Sequence, residues 1–108
     1  MVIHVVLFRP RPDISVEERD RLFESMRVAA REIPEVRGFR VGKHLDPAPR
    51  YRLGGFPSYP WSAVLEFDDE AGLQAYLTHP LHRQLGERFN GAAESALIYD
   101  YKVTDQLM

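Results

Sequence analysis

At 108 residues, with 44% hydrophobic and 28% charged side chains, the chain has apolar material for one core and not for two. Fourteen Lys and Arg against sixteen Asp and Glu leave a formal charge of -2, which excludes the strong field that nucleic-acid or anionic-membrane binding requires. The absence of cysteine excludes disulfides, thiolate metal sites and a cysteine nucleophile, and leaves a cytoplasmic setting as the default expectation. A domain this small buries roughly two-thirds of its unfolded surface, so burying more by self-association is favourable.

The opening run Val2 to Phe8 is β-branched and aromatic, too short to span a bilayer, and closed by Arg9-Pro10-Arg11-Pro12. It reads as a strand. Period two puts Val2, His4, Val6 and Phe8 on one face and Ile3, Val5 and Leu7 on the other, both mainly apolar, so the strand belongs in the middle of a sheet covered on both sides. Ser15 and Glu18 form a capping-box pattern that starts a helix. Leu22, Phe23, Met26, Ala29, Ala30 and Ile33 recur at helical spacing until Pro34 ends the run.

From Val36 to Leu45, Phe39, Val41 and Leu45 alternate with Arg40, Gly42 and His44, predicting a second strand with a wetter face that accommodates His44. Asp46 to Pro60 carries four prolines and two adjacent glycines and is expected to be a long loop. Its Arg50, Tyr51, Arg52, Phe56 and Tyr59 fit either a lid over a pocket or a solvated excursion. Trp61 to Phe67 alternates as a third strand. Asp68 or Asp69 then caps a helix with the stripe Leu73, Tyr76 and Leu77, which breaks at His79 because the residue before a proline resists helical geometry. Pro80 opens another helix, faced by Leu81, Leu85 and Phe89, and Asn90-Gly91 is read as its C-terminal signal. Ala96 to Val103 is the last strand, with Leu97, Tyr99 and Tyr101 opposite Ile98, Asp100 and Lys102.

The order predicts an α+β fold of ferredoxin-like βαββαβ type over residues 1–108, a four-stranded antiparallel sheet with helices on one face. The sheet's other face is also apolar, so pairing two sheets in a homodimer is expected before any family is considered.

His4-Val5-Val6-Leu7-Phe8, Gly38-Phe39-Arg40-Val41-Gly42, Glu66-Phe67-Asp68-Asp69-Glu70, Ala75-Tyr76-Leu77-Thr78-His79-Pro80-Leu81-His82 and Tyr99-Asp100-Tyr101-Lys102-Val103 together resemble the stress-responsive dimeric α/β-barrel (Dabb) family. The His-Pro-x-His segment is the most specific part, and the resemblance runs over nearly the whole chain. It implies a homodimeric α/β barrel with a small apolar cavity between each sheet and its own helices. The family includes plant stress proteins of unclear activity and a polyketide cyclase of the olivetolic-acid type that works by cofactor-free acid–base chemistry. By that resemblance His4 and His82 exchange protons and Tyr76 steadies a developing enolate. Trp61 stands where the cyclase has another histidine, and the preceding loop is longer, which implies a different substrate.

The ligand is expected to be a small hydrophobic molecule, such as a polyketide-like carbonyl compound, with Val6, Phe8, Phe23, Met26 and Trp61 lining the apolar part of the pocket. No cofactor, nucleic-acid partner or membrane partner is expected. His79 and His82 are three apart, a spacing some metal sites use, but the intervening proline and the lack of a third nearby ligand argue against a metal. The plainer reading makes His4 a satisfied core imidazole and Tyr76 a core tyrosine. Two other classes stay open: a non-catalytic stress or structural protein, and a cofactor-independent monooxygenase. No nucleotide fingerprint or Gly-x-Ser-x-Gly elbow is present.

Overall fold

The computed structural model describes residues 1–45, 54, 55 and 57–104. Its elements are β1 (Val2–Pro10), α1 (Val16–Glu32), β2 (Val36–Lys43), β3 (Trp61–Phe67), α2 (Glu70–Thr78), α3 (Pro80–Ala92) and β4 (Ala93–Lys102). The sheet is antiparallel throughout in the order β2-β3-β1-β4, the ferredoxin-like arrangement the element order predicts. No described helix is long and apolar enough to cross a membrane.

Strand β1 is central, and its pleat divides the molecule. Val2, His4, Val6 and Phe8 are buried beneath the helices, in line with Ala63, Leu65 and Phe67 of β3. Against them pack Leu22, Phe23, Met26 and Ala29 of α1, Leu73 and Tyr76 of α2, and Leu85 and Ala92 of α3. Phe8, Phe67, Leu22 and Ile33 are the largest fully enclosed side chains, and truncating such a phenylalanine to alanine costs about 3–5 kcal/mol.

The opposite face carries Ile3, Val5 and Leu7, all half-buried, with Val5 paired to Val64 on one side and Tyr99 on the other. Tyr99 and Tyr101 extend that face with ring centroids 6.3 Å apart, and they are 49% and 53% exposed. An apolar sheet face of this kind is unfavourable in water without a cover.

Local chemistry sets the helix ends. The Ser15 hydroxyl accepts a hydrogen bond from the Glu18 amide at 3.1 Å, a cap worth about 1 kcal/mol. Asp69 does the same for Gly72 at the start of α2. His79 is the joint between α2 and α3: its amide closes α2 by donating to the Tyr76 carbonyl, and its Nδ1 accepts from the Leu81 amide at 3.1 Å. Pro80 follows as the first residue of α3, where its missing amide hydrogen costs nothing.

Several expected boundaries move: β1 runs on from Phe8 to Pro10, and β4 stops at Lys102 instead of Val103. Asn90-Gly91 does not end α3, which runs on to the buried Ala92. Gly91 lacks the left-handed conformation a glycine cap needs, and the extended Ala93 closes the helix by donating to the Phe89 carbonyl. Consequently β4 begins at Ala93 and not at Ala96. Strand β2 ends at Lys43 and leaves Leu45 exposed. Of the expected lid, residues 46–53 and 56 lie outside the described residues. Tyr59 is described, with the Arg9 guanidinium 5.8 Å from its ring centroid.

Candidate active site

A cavity of about 230 Å³ lies between the sheet and its helices. Its wall is apolar, built from Val6, Met26, Phe39, Leu65, Leu85 and Phe89 among others, and three ionisable side chains face into it: His4, Tyr76 and His82. The fold brings these three together from separate elements. His4 is held in the central strand, Tyr76 sits in the last turn of α2, and the His79 joint turns the chain so that His82 follows in the first turn of α3. The Tyr76 ring meets both imidazoles, with its centroid 5.8 Å from His4 and 4.7 Å from His82, edge-on to each.

His4 is only 5% exposed, so its ring nitrogens need partners. Direct cross-strand register supplies one: His4 of β1 faces Asp100 of β4, and Nδ1 lies 2.5 Å from the carboxylate Oδ1. A carboxylate can only accept, so Nδ1 donates. In the neutral ring Nε2 is then the nitrogen that can accept a proton, on a residue that lines the cavity.

Burial sets the protonation of the other two groups. It pushes the Tyr76 hydroxyl up to about 12, so the phenol stays protonated at neutral pH and can donate a hydrogen bond. Burial also pushes the His82 imidazole below its ordinary value, and repulsion from a protonated His4 adds to this. A hydrogen bond to the Leu77 carbonyl acts in the opposite direction. Two imidazoles that disfavour being charged together, each meeting a neutral phenol in an apolar cavity, form an arrangement suited to moving one proton.

Of the residues expected to line the pocket, Val6 and Met26 do so, whereas Phe8, Phe23 and Trp61 do not. Phe8 and Trp61 are register partners four residues along the sheet from His4, about 13 Å at strand rise, beyond the end of the cavity. There they join an aromatic stack: Phe23 lies 5.0 Å from Trp61 and 6.0 Å from Phe8, and Phe8 lies 5.4 Å from Phe89. The Arg19 and Lys43 cations flank the Trp61 ring at 5.7 and 5.9 Å.

His79 is absent from the cavity lining, its ring being engaged as a helix cap. Among the described residues no cluster of three or more His, Cys, Asp or Glu could hold a metal ion. Asp100, not among the candidate residues named from the sequence, joins the site through its contact with His4. Its signal was its phase, since period two in the last strand places it with Ile98 on the side that His4 faces. Phe39, Leu85, Gly86, Phe89, Asn90 and Ile98 also enter the lining without having been singled out for it.

The sequence model described as Stress responsive A/B Barrel Domain (Dabb) matches residues 2–103. Among solved structures, the chain is similar to a hydroxynitrile lyase from Passiflora edulis, with a TM-score of 0.86 and 20% identity over 99% of this chain and 96% of that one. It is also similar to a dimeric ferredoxin-like protein of unknown function from Bacteroides fragilis, with a TM-score of 0.66 and 28% identity over 94% and 95% of the two chains. A third such structure is a dimeric ferredoxin-like protein of unknown function from a Jannaschia species, with a TM-score of 0.74 and 27% identity over 94% and 98%. No curated protein matches the chain.

Proposed function

The chain belongs to the stress-responsive A/B barrel (Dabb) family, and from that membership we propose that it is a homodimer that binds a small, mainly apolar carbonyl compound and catalyses proton transfer on it without a cofactor. The observation that carries this reading is the His4–Tyr76–His82 group in an apolar cavity, with the His4 ring oriented by Asp100. His4 Nε2 removes a proton from the carbon next to the carbonyl, and the C–H electron pair moves into the enolate. The Tyr76 hydroxyl donates a hydrogen bond to the enolate oxygen. His82, once it has taken up a proton from solvent, delivers it to the enolate carbon, and His4 returns the proton it removed to solvent, which resets the pair; the two histidines exchange roles in the reverse direction. The Passiflora edulis lyase, on the same fold, supports a catalytic use of this architecture. Dimeric structural neighbours and the apolar face around Val5 and Tyr99 support the homodimer.

Deuterium exchange into the methyl group of acetophenone in D2O, followed by proton NMR, tests the chemistry with a defined probe. The protein should accelerate exchange above buffer, and His4→Gln and His82→Gln should each remove the acceleration while the fold is retained. Exchange no faster than buffer with the wild-type protein, or full acceleration in both variants, would overturn the reading.

A further inference from the structure

Gly86 occupies the centre of α3, where glycine is the least favourable residue short of proline. Neither backbone nor packing requires it. Its φ is not positive, and a Cβ built on it would meet nothing within 4 Å. It does line the cavity, four residues after His82 and four before Asn90, so these three positions form one stripe of the helix along the cavity wall. The stripe runs from the buried chemistry to the surface: Asn90 is exposed, and Ile98, across the cavity on β4, is 53% exposed. The side chain missing at position 86 therefore leaves a gap in the wall between the histidines and the outside.

The cavity's size gives that gap a use. At about 230 Å³ it falls below the roughly 300–1,000 Å³ of pockets that enclose a drug-sized ligand. His82 and Asn90 are separated by about 12 Å along the helix axis. A ligand whose carbonyl sits at His4, Tyr76 and His82 and which extends beyond one ring outgrows the cavity, and position 86 is a place where the wall carries no side chain. Building on the carbonyl-ligand reading above, we propose that Gly86 is a specificity-determining residue. It opens a portal between α3 and β4 through which the linear tail of an aryl or alkyl ketone leaves the cavity, passing Asn90 and Ile98. Ile98 lies in phase with His4 on the helix-covered side of the sheet, so the portal stays clear of the apolar face assigned to dimerisation.

The test compares the affinities of two ketones, acetophenone and hexanophenone, for the wild-type protein, Gly86→Ala and Gly86→Leu by isothermal titration calorimetry. The readout is the ratio of the two affinities in each protein. Relative to acetophenone, hexanophenone binding should weaken about tenfold or more in Gly86→Leu and less in Gly86→Ala. The alanine variant should also melt at a higher temperature than wild type, because it gains helix propensity at a position without steric conflict. If Gly86→Leu fails to fold, the alanine variant still decides. An unchanged ratio in the folded variants overturns the portal while leaving the carbonyl-ligand reading intact. Failure of both ketones to bind the wild-type protein overturns that reading, and the portal with it.

Discussion

His4 and Asp100, ninety-six residues apart in sequence, are direct register partners on β1 and β4, and the imidazole Nδ1 of one lies 2.5 Å from the carboxylate of the other. The pair is thus built into the strand alignment and needs no loop to assemble it. In the proposed reaction Asp100 acts through His4, as a positioning residue. Asp100→Asn keeps the shape but can offer Nδ1 either an acceptor or a donor, so the tautomer is no longer fixed. Ketone exchange should fall by about a hundredfold, the low end of the range for general base catalysis. Nitrogen-15 NMR of His4 should show the neutral tautomers redistributing, which loss of packing alone would not produce.

Tyr76→Phe separates the hydroxyl from the ring. The ring contacts with His4, His82 and Phe67 persist, so stability should change by no more than about 1 kcal/mol, the net worth of a typical hydrogen bond. Exchange should drop at least tenfold if the neutral phenol steadies the enolate. Chemical denaturation and the NMR assay together check both halves.

His82 provides a pH signature. Its folded-state pKa lies below the unfolded value of about 6.5, so the unfolded chain binds the proton more readily. The stabilising contribution is complete above about pH 6.5 and is lost as pH falls through the lower folded value. His82→Gln should therefore show a smaller drop in melting temperature than wild type on acidification below pH 6.5. An NMR titration of the His82 ring should place its midpoint under 6.5.

The homodimer is tested from the other side of the sheet. Tyr99→Asp combined with Tyr101→Asp puts charge on side chains about half exposed in one protomer, so each protomer should keep its fold while association is lost. Sedimentation equilibrium should report a monomer for the double variant and a dimer for wild type, with matching far-ultraviolet circular dichroism.

Local chemistry was legible in the sequence; long-range alignment was not. Strand β3, the Ser15 cap and the break at His79 follow from period, cap residue and proline, each acting within a few residues. The Asn90-Gly91 signal misled because α3 runs one residue past it, to the buried Ala92. The candidate site divides in the same way. His4, Tyr76 and His82 could be picked out by residue type and family resemblance, whereas the Asp100 partner depends on the register of two strands at opposite ends of the chain. Phe8 and Trp61 have the right phase for the cavity but the wrong position along their strands, and alternation carries no information about that coordinate; Phe23, on α1, packs with them.

The pleat of β1 assigns alternate residues to separate tasks: His4 and Val6 face the cavity, while Ile3, Val5 and Leu7 face the side available to a second copy. Changes in chemistry and changes in assembly can therefore accumulate independently along one strand by point substitution. Insertion or deletion of a single residue before His4 is a different matter, since it would carry the imidazole across the sheet and an aliphatic side chain into its place. Lineages diverging from this chain should accordingly vary in side chain at these positions while holding the spacing of the strand fixed.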